Sequence, residues 1–169
     1  TMIQRVYENV KKIKSLQDVI VATDDERIYN HVQEFGKAMM TSAFHQSGTE
    51  RCAEALSQLD AAPDIIINVQ GDEPFVAAEH IELILSCFEN STTQIASLVK
   101  PIEQETELFN PGIPKVVFNE KLQALYFSRS TIPFLRNIKQ NEWMQHNVFY
   151  KHIGIYAYRV SVLKELVKL

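Results

Sequence analysis

The sequence predicts an α/β fold in which a mostly parallel sheet carries helices on both faces. Short β-branched runs alternate with segments whose apolar residues recur every three or four positions. Through residue 99 the order reads βα, βα, βα, β, and such alternation is typical of parallel sheets. Two closely spaced strands, at 115–118 and 123–127, predict a smaller hairpin that departs from this pattern in the second half.

The bulk properties favour one globular domain spanning 1–169. The 169 residues suffice to bury a core, and 46% of them are hydrophobic, which argues against disorder. Seventeen Lys and Arg against 21 Asp and Glu give a net charge of −4, and no basic run indicates nucleic-acid binding. No apolar run approaches the length of a membrane span. Cys52 and Cys87 lack CxxC spacing and suggest buried thiols, so we expect a cytoplasmic protein.

The first half of the chain begins in a helix and continues with a short strand at 18–23. Thr23 or Asp24 can cap the next helix, predicted at 26–35, and Gly36 is a plausible stop. The remaining elements predicted in this half are a weak strand at 38–40, a helix ending near 59, a strand at 65–69, a helix at 77–88 and a strand at 95–99.

The second half is predicted to contain the hairpin, a strand at 152–158 and a helical pattern from Val160 onward. Between them, the polar segment 137–147 is either a flexible loop or a short helix. Both ends of the chain look cut, because they fall inside helical patterns, so we expect further material at each end.

The stretch 65–74 is the centre of the predicted site. Its β-branched residues run without alternation, which predicts a strand buried on both faces. Ligands of open α/β sheets bind beyond the carboxyl ends of strands, where Gln70, Asp72 and Glu73 stand. The alternative is that these residues form only a turn into the next helix.

A second polar cluster begins the helix near residue 48. Ser47, Gly48 and Thr49 offer hydroxyl and backbone N–H groups at the positive end of the helix dipole. Arg51 lies in the first turn, where a cation is unfavourable to the dipole, and such local conflicts often mark function. The alternative is an ordinary helix cap with Arg51 in solvent.

Two more clusters follow in the second half. Arg129 comes at a polar strand end that a proline stops, and the strand at 152–158 places His152 and Tyr156 on one face. That face is either half-exposed sheet or the wall of a pocket.

Several chemistries are disfavoured by missing motifs. The sequence has no nucleophile elbow, no zinc-ligand spacing, no GxGxxG and no GxxxxGK[ST]. Arginines, hydroxyls and amides around one aspartate remain, and this set suits a magnesium–phosphate ligand. Such an enzyme positions two substrates and neutralises the transferring group without a nucleophilic side chain.

Four stretches together resemble the 3-deoxy-manno-octulosonate (KDO) cytidylyltransferases, also called CMP-KDO synthetases. The resemblance covers essentially the whole chain, in order, and 21–25 (Val-Ala-Thr-Asp-Asp) fits as well. The four stretches are 45–51 (His-Gln-Ser-Gly-Thr-Glu-Arg), 68–74 (Asn-Val-Gln-Gly-Asp-Glu-Pro), 125–133 (Leu-Tyr-Phe-Ser-Arg-Ser-Thr-Ile-Pro) and 152–159 (His-Ile-Gly-Ile-Tyr-Ala-Tyr-Arg).

The resemblance implies a Rossmann-like nucleotidyltransferase fold and transfer of CMP from CTP to KDO, with release of pyrophosphate, for lipopolysaccharide synthesis. It also implies a Mg²⁺ cofactor and a homodimer with contacts in the second half. Asp72 becomes the metal ligand and, with Gln70 and Arg129, a catalytic residue, and Gln70 lies beside sugar and phosphate. The nucleotide is assigned to Ser47, Gly48, Thr49 and Arg51, and KDO to Arg129, His152 and Tyr156.

Two family features are missing from the sequence. One is the basic, glycine-containing loop that wraps the triphosphate, expected before Thr1, and the other is a second metal-binding aspartate, expected beyond Leu169. The missing loop leaves open the alternative of an inactive nucleotide-binding or assembly domain. A second alternative is a cytidylyltransferase for another acidic sugar such as sialic acid, although those enzymes carry a different strand end where this chain has 70–74 (Gln-Gly-Asp-Glu-Pro).

Overall fold

The structure, a computed structural model, describes residues 1–168 and divides into two compact units. Unit 1 comprises Thr1–Ala96 and the segment from Ile155 onward, and unit 2 comprises Ser97–Gly154. The expectation of one nucleotidyltransferase domain stays a prediction, since two compact units can belong to a single domain.

The helices and strands follow closely the order that the sequence predicts. In chain order they are α1 (Met2–Lys11), β1 (Val21–Thr23), α2 (Glu26–Gln33), β2 (Ala38–Met40), α3 (Gly48–Ser57), β3 (Ile65–Asn68), α4 (Ala78–Ser86), β4 (Ile95–Pro101), α5 (Glu105–Leu108), β5 (Lys115–Phe118), β6 (Ala124–Ser128), α6 (Trp143–His146), β7 (Tyr150–Arg159) and α7 (Val160–Leu166). Sequence analysis missed α5, because four residues are too few to show a helical period.

The strand pairing corrects the prediction of a mostly parallel sheet. β1 and β2 pair in parallel, but β3 pairs antiparallel with the last residues of β7. In unit 2, β5 pairs antiparallel with β6, which confirms the hairpin, and also with the first residues of β7. The side-chain pattern of a strand reports burial but not direction, so the reversed course of β7 could not be predicted from it.

Strand β3 is also less buried than its sequence predicts. Ile65, Ile66 and Ile67 are half-buried, whereas the polar Asn68 is buried, with 8% of its surface exposed. The reason is that the isoleucines line a cleft of unit 1 instead of filling a closed core. An unbroken β-branched run therefore indicated apolar surroundings correctly but not complete enclosure.

The core of unit 1 includes a cluster formed by α3, β7 and α7. Its buried members are Leu56, Tyr158 and Leu163, and Ile66 and Tyr156 pack against it. These contacts fix α3 against β3 and β7, and thereby position the start of α3.

Helix α2 is capped by Asp25, which corrects the expected cap at Thr23 or Asp24. The Asp25 carboxylate accepts hydrogen bonds from the backbone N–H groups of Arg27 (2.8 Å) and Ile28 (3.4 Å). The Arg27 guanidinium and these N–H groups hold the pKa of Asp25 well below its usual range.

Gly36 follows α2 for a steric reason that the sequence does not reveal. None of the glycines has a positive φ, so Gly36 is not a left-handed stop. A Cβ at this position would lie 2.5 Å from the ring atom Cζ of Tyr7, which is buried and whose hydroxyl accepts the Lys37 N–H.

Replacing Gly36 by alanine is therefore expected to destabilise the protein by about 1–3 kcal/mol, the range for overpacking a rigid site. Chemical denaturation of the full-length protein measures this free energy. Gly154→Ala is the matched control, because a Cβ at Gly154 meets no atom within 4 Å. Equal stability of the two variants would contradict the steric account.

The core of unit 2 is built around Trp143, the first residue of α6. It packs with Ile102, Leu108 and Phe149, and its indole N–H donates to the carbonyl of Ile138 at 3.0 Å. Of the two alternatives for the segment 137–147, the structure forms a 3₁₀ turn (Gln140–Glu142) followed by α6. The buried indole explains why this polar segment is ordered as a helix.

Candidate functional site

Unit 1 contains a cleft of about 870 Å³ between α1, α3, β1, β3 and α4. Its polar wall contains four residues that the sequence assigned to the site: Ser47, Gly48, Arg51 and Gln70. Its apolar wall includes residues of α1 and β3. The structure therefore brings the start of α3 and the end of β3 together, as the strand-end argument expects.

The start of α3 and the end of β3 approach each other at Gly48. A Cβ on Gly48 would lie 3.1 Å from Nδ2 of Asn68 and 3.5 Å from Nε2 of Gln70. Asn68 is the last residue of β3 and Gln70 follows it by two positions, so the strand end brings both amides to the same helix turn. A side chain here would be tight, because the Asn68 amide would have to shift by a few tenths of an ångström.

The first turn of α3 is held by a reciprocal cap. The Ser47 hydroxyl accepts from the N–H of Glu50 at 3.2 Å and donates to the Glu50 carboxylate at 3.1 Å. The same carboxylate accepts the N–H of Gln46, and these bonds hold the pKa of Glu50 below its usual value. The Ser47 hydroxyl thus has its proton engaged, and the first turn presents backbone N–H groups.

The loop before α3 is anchored by Glu54. Its carboxylate accepts the backbone N–H of Ser42 at 2.8 Å and bonds to Nε2 of His45. These two contacts, in that order, lower the pKa of Glu54. His45 also lies 3.6 Å from the Glu50 carboxylate, so two carboxylates of one helix hold the loop that precedes the cleft.

Arg51 is held by protein groups on the cleft wall. Its guanidinium donates to the Thr41 hydroxyl at 2.6 Å and forms an ion pair with Asp24 at 3.2 Å. The side chain is 21% exposed, so the alternative of a solvated arginine is wrong. The Asp24 charge compensates the unfavourable position of a cation at the helix start.

Thr49 and Tyr156 point into the packed part of unit 1. The Thr49 hydroxyl bonds with that of Tyr158 at 3.2 Å, and the Tyr156 ring stacks on Tyr158 with centroids 6.0 Å apart. Burial raises the pKa of Tyr156. Tyr156 is the register partner of Asn68, and opposed residues of an antiparallel pair share a face, so Tyr156 lies beside the amide pair.

Asp72 lies beyond the end of β3 and is exposed. Gly71 lines the cleft, but among residues 1–168 the lining does not include Asp72. No group of three or more His, Cys, Asp or Glu side chains in this part of the chain is arranged to hold a metal ion. Mg²⁺ normally takes one or two protein carboxylates and completes its shell with phosphates and water, so Asp72 with the adjacent Glu73 fits such an ion.

Arg129 and His152 belong to unit 2, and the structure does not place them relative to the cleft. The Arg129 guanidinium donates to the carbonyl of Gly112 at 2.7 Å. His152 bonds through Nε2 with the Ser97 hydroxyl at 2.6 Å, and its ring meets Phe127 edge-on. Burial lowers the pKa of His152, which favours a neutral ring at neutral pH.

The remaining candidates for chemistry are unremarkable in their surroundings. Burial raises the pKa of the Cys52 thiol to about 11, so it is not a thiolate nucleophile at neutral pH. Cys87, expected to be buried, is exposed. Within residues 1–168, no helix has both the length and the apolarity needed to cross a bilayer.

Sequence reasoning overlooked three residues that shape this site: Asn68, Glu54 and His45. Asn68 stands at the end of an apolar run, and the signal for it is that an amide in a strand predicted to be buried needs a hydrogen-bond partner. Glu54 and His45 are nine residues apart, and only the return of the loop onto α3 brings them into contact.

Fold and site together define a nucleotidyltransferase, and the chain belongs to the cytidylyltransferase family, whose model matches residues 1–169. It is 53% identical to the 3-deoxy-manno-octulosonate cytidylyltransferase of Parabacteroides distasonis, over 99% of this chain and 68% of that protein. It is 51% identical to the enzyme of the same name from Bacteroides thetaiotaomicron, over 100% of this chain and 68% of the relative. The resemblance found in the sequence is thereby confirmed.

Solved structures agree with this assignment. CMP:2-keto-3-deoxy-manno-octonic acid synthetase complexed with CTP superposes with a TM-score of 0.88 at 41% identity, over 99% of this chain and 67% of that one. This match confirms the α/β nucleotidyltransferase fold. A 4-diphosphocytidyl-2C-methyl-D-erythritol synthase from Anaerococcus prevotii, at 11% identity and a TM-score of 0.60, shares the fold.

Proposed function

We propose that this protein transfers CMP from CTP to 3-deoxy-manno-octulosonate, with release of pyrophosphate. Relatives that carry this activity in their names are 43–53% identical over the chain's length. The observation in the structure that carries the proposal is the meeting of Gly48 and Gln70 at one cleft, where a helix start and a strand end face the same space.

In this proposal the start of α3 and Arg51 hold the nucleotide. The backbone N–H groups of the first turn point along the helix dipole and suit phosphate oxygens. Arg51 already balances Asp24, so its ion pair keeps the guanidinium at the cleft wall before a ligand arrives. Gln70 lies beside the reacting sugar and phosphate, at the end of β3.

We assign Mg²⁺ to Asp72, with the triphosphate and water completing the coordination. When bound, the ion would neutralise charge on the phosphates during transfer. Asp72 is exposed at the strand end, so it can accept a metal–nucleotide complex without rearrangement of a buried core.

The direct test is pyrophosphate release by the full-length protein with CTP and each of two acidic sugars. KDO with Mg²⁺ is expected to give turnover, sialic acid to give little, and omission of Mg²⁺ to abolish release. Better turnover with sialic acid would assign the enzyme to another sugar. No turnover with any sugar, together with retained CTP binding, would support an inactive binding domain.

Replacing His152 by alanine is expected to weaken the binding of KDO more than the binding of CTP. His152 is half-buried, and burial lowers its pKa and so favours the neutral ring, which suits hydrogen bonds to a sugar better than charge pairing with a triphosphate. The expected change is a KM for KDO raised about tenfold, the scale of one hydrogen bond, with the KM for CTP little changed.

His146→Ala, in α6 and exposed, is the matched histidine control for that measurement. An equal rise in the KM values for both substrates would contradict the assignment of His152 to the KDO site.

We also propose a homodimer in which β6 takes part. This strand exposes Leu125 (65%), Tyr126 (63%) and Phe127 (44%), side chains on both of its faces that suit burial against a second copy. Light scattering of the full-length protein should give the mass of two chains, and Tyr126→Lys should shift it toward one. A cytoplasmic location, where CTP is made available, completes the proposal.

A further inference from the structure

Asn68 is a buried carboxamide with no hydrogen-bond partner among residues 1–168. Only 8% of its surface is exposed, and it lines the cleft of unit 1. In the same part of the chain, no fully enclosed side-chain N or O atom lacks a partner. The amide atoms of Asn68 must therefore reach the cleft surface, where they are directed at whatever enters.

This position carries a cost that packing does not explain. A leucine, which has the same branched skeleton, would suit the half-buried isoleucines before it, whereas an amide that is only 8% exposed and has no protein partner keeps few bonds to bulk water. Residues that conflict with the local packing and add no stability in exchange tend to have a functional role.

Asn68 acts together with Gln70. Gln70 follows Asn68 by two positions, just beyond the last residue of β3. Both lie near Gly48, with distances of 3.1 Å from Nδ2 of Asn68, 3.7 Å from its Oδ1 and 3.5 Å from Nε2 of Gln70 to the Cβ that Gly48 lacks. The two amides and the helix start therefore border the same part of the cleft.

The hydrogen-bonding groups of a carboxamide limit the kinds of ligand group that Asn68 can bind. Each amide offers one acceptor oxygen and two N–H donors, so a group that only accepts, such as phosphate, would leave the oxygen unpaired. Hydroxyls both donate and accept. A row of two carboxamides therefore suits a ligand with several hydroxyls better than a phosphate or a single base edge.

We propose that Asn68 is a specificity-determining residue that binds a sugar hydroxyl of a substrate through both of its amide atoms, next to Gln70. This inference rests on the proposed cytidylyl transfer and adds a residue to its binding site. The hydroxyl can come from the ribose of CTP or from KDO.

Asn68→Leu in the full-length protein separates a ligand-binding amide from a structural one. The variant is expected to keep or raise the melting temperature, because it removes an unpaired amide. If the ribose supplies the hydroxyl, wild-type preference for CTP over 2′-deoxy-CTP, read as kcat/KM, should fall about tenfold in the variant. If KDO supplies it, the KM for KDO should rise by a similar factor while that preference stays unchanged.

Asn119→Leu is the matched control. The Asn119 side chain accepts the N–H groups of Lys121 and Gln123 in the β5–β6 turn, so its loss should lower the melting temperature and leave both substrate readouts unchanged. A folded Asn68→Leu protein with unchanged readouts would overturn the proposal. So would a lowered melting temperature with equal losses for CTP and KDO.

The wild-type reaction is the reference for these measurements. If wild-type protein fails to turn over CTP with KDO, the proposed function fails before Asn68 is tested. If wild type turns over and Asn68→Leu behaves identically, only the inference about Asn68 fails.

Discussion

Replacing Asp72 by asparagine is expected to lower kcat for pyrophosphate release by roughly 10²-fold or more, the scale of losing a preorganised electrostatic group. Asparagine keeps the shape of the side chain but removes the charge that a Mg²⁺–nucleotide complex requires. The site is exposed and beyond the end of β3, so the fold should be unaffected. Steady-state assays over a series of Mg²⁺ concentrations, with the melting temperature as a check on folding, measure both effects.

Asp60→Asn is the matched control for that variant. Asp60 is also exposed and lies in the loop before β3. Its replacement removes the same single negative charge but leaves the end of β3 unchanged. The control should keep wild-type turnover. Near-wild-type turnover by Asp72→Asn, with an unchanged response to Mg²⁺, would remove Asp72 from the metal site.

Replacing Lys115 by methionine is expected to give the largest loss of stability. Lys115 is fully buried in unit 2, and its ammonium donates to the carbonyls of Asn110 (2.8 Å), Ile113 (2.9 Å) and Arg129 (3.1 Å). Burial, and to a smaller extent the nearby Arg129 charge, lowers the pKa of Lys115. The three carbonyls accept all three N–H groups of its ammonium, so each donor of the buried group has a partner.

Methionine would fill the space and remove one donor from each of those three carbonyls, although the carbonyl of Asn110 still accepts the Ile113 N–H at 3.1 Å. At about 1 kcal/mol for each lost bond, the free energy of unfolding should fall by about 3 kcal/mol. Urea denaturation of the full-length protein measures it. Lys121→Met, at the exposed turn of the hairpin, should change stability by less than about 0.5 kcal/mol. An unchanged urea midpoint for Lys115→Met would contradict the structural role.

The loss should also reach Arg129. The backbone carbonyl of Arg129 accepts a hydrogen bond from the Lys115 ammonium. The Arg129 guanidinium donates to the carbonyl of Gly112, which lies in the loop before β5 that Lys115 also binds. Lys115→Met should therefore loosen the residue proposed to hold KDO, so KM for KDO is expected to rise more than KM for CTP.

Local sequence determined the elements. The helix periods, the β-branched runs and the turn residues predicted nearly every strand and helix, because these signals depend on neighbours within one or two turns. The strand at 115–118 and the strand at 38–40 were predicted with the bounds that the structure has. The four motifs also identified the family, because their order along the chain is a property of sequence alone.

Tertiary structure decided what each polar side chain is available to do. Ser47 and Thr49 were assigned to the ligand, but their hydroxyls bond to Glu50 and Tyr158. Asn68 was passed over, yet its amide has no protein partner among the described residues. A sequence shows which groups can form hydrogen bonds, whereas only the packing of α3 on β3 and β7 shows which of those bonds are already made.

The direction of β7 is another feature that only the tertiary structure decides. Its residues read as a strand in either direction, and long-range pairing with β3 fixed it as antiparallel. That pairing places Tyr156 opposite Asn68, so the composition of the cleft wall depends on a contact between residues that are 88 positions apart. Sequence alone determined that this protein has the parts of a cytidylyltransferase, and the tertiary structure determined which of those parts face the cleft.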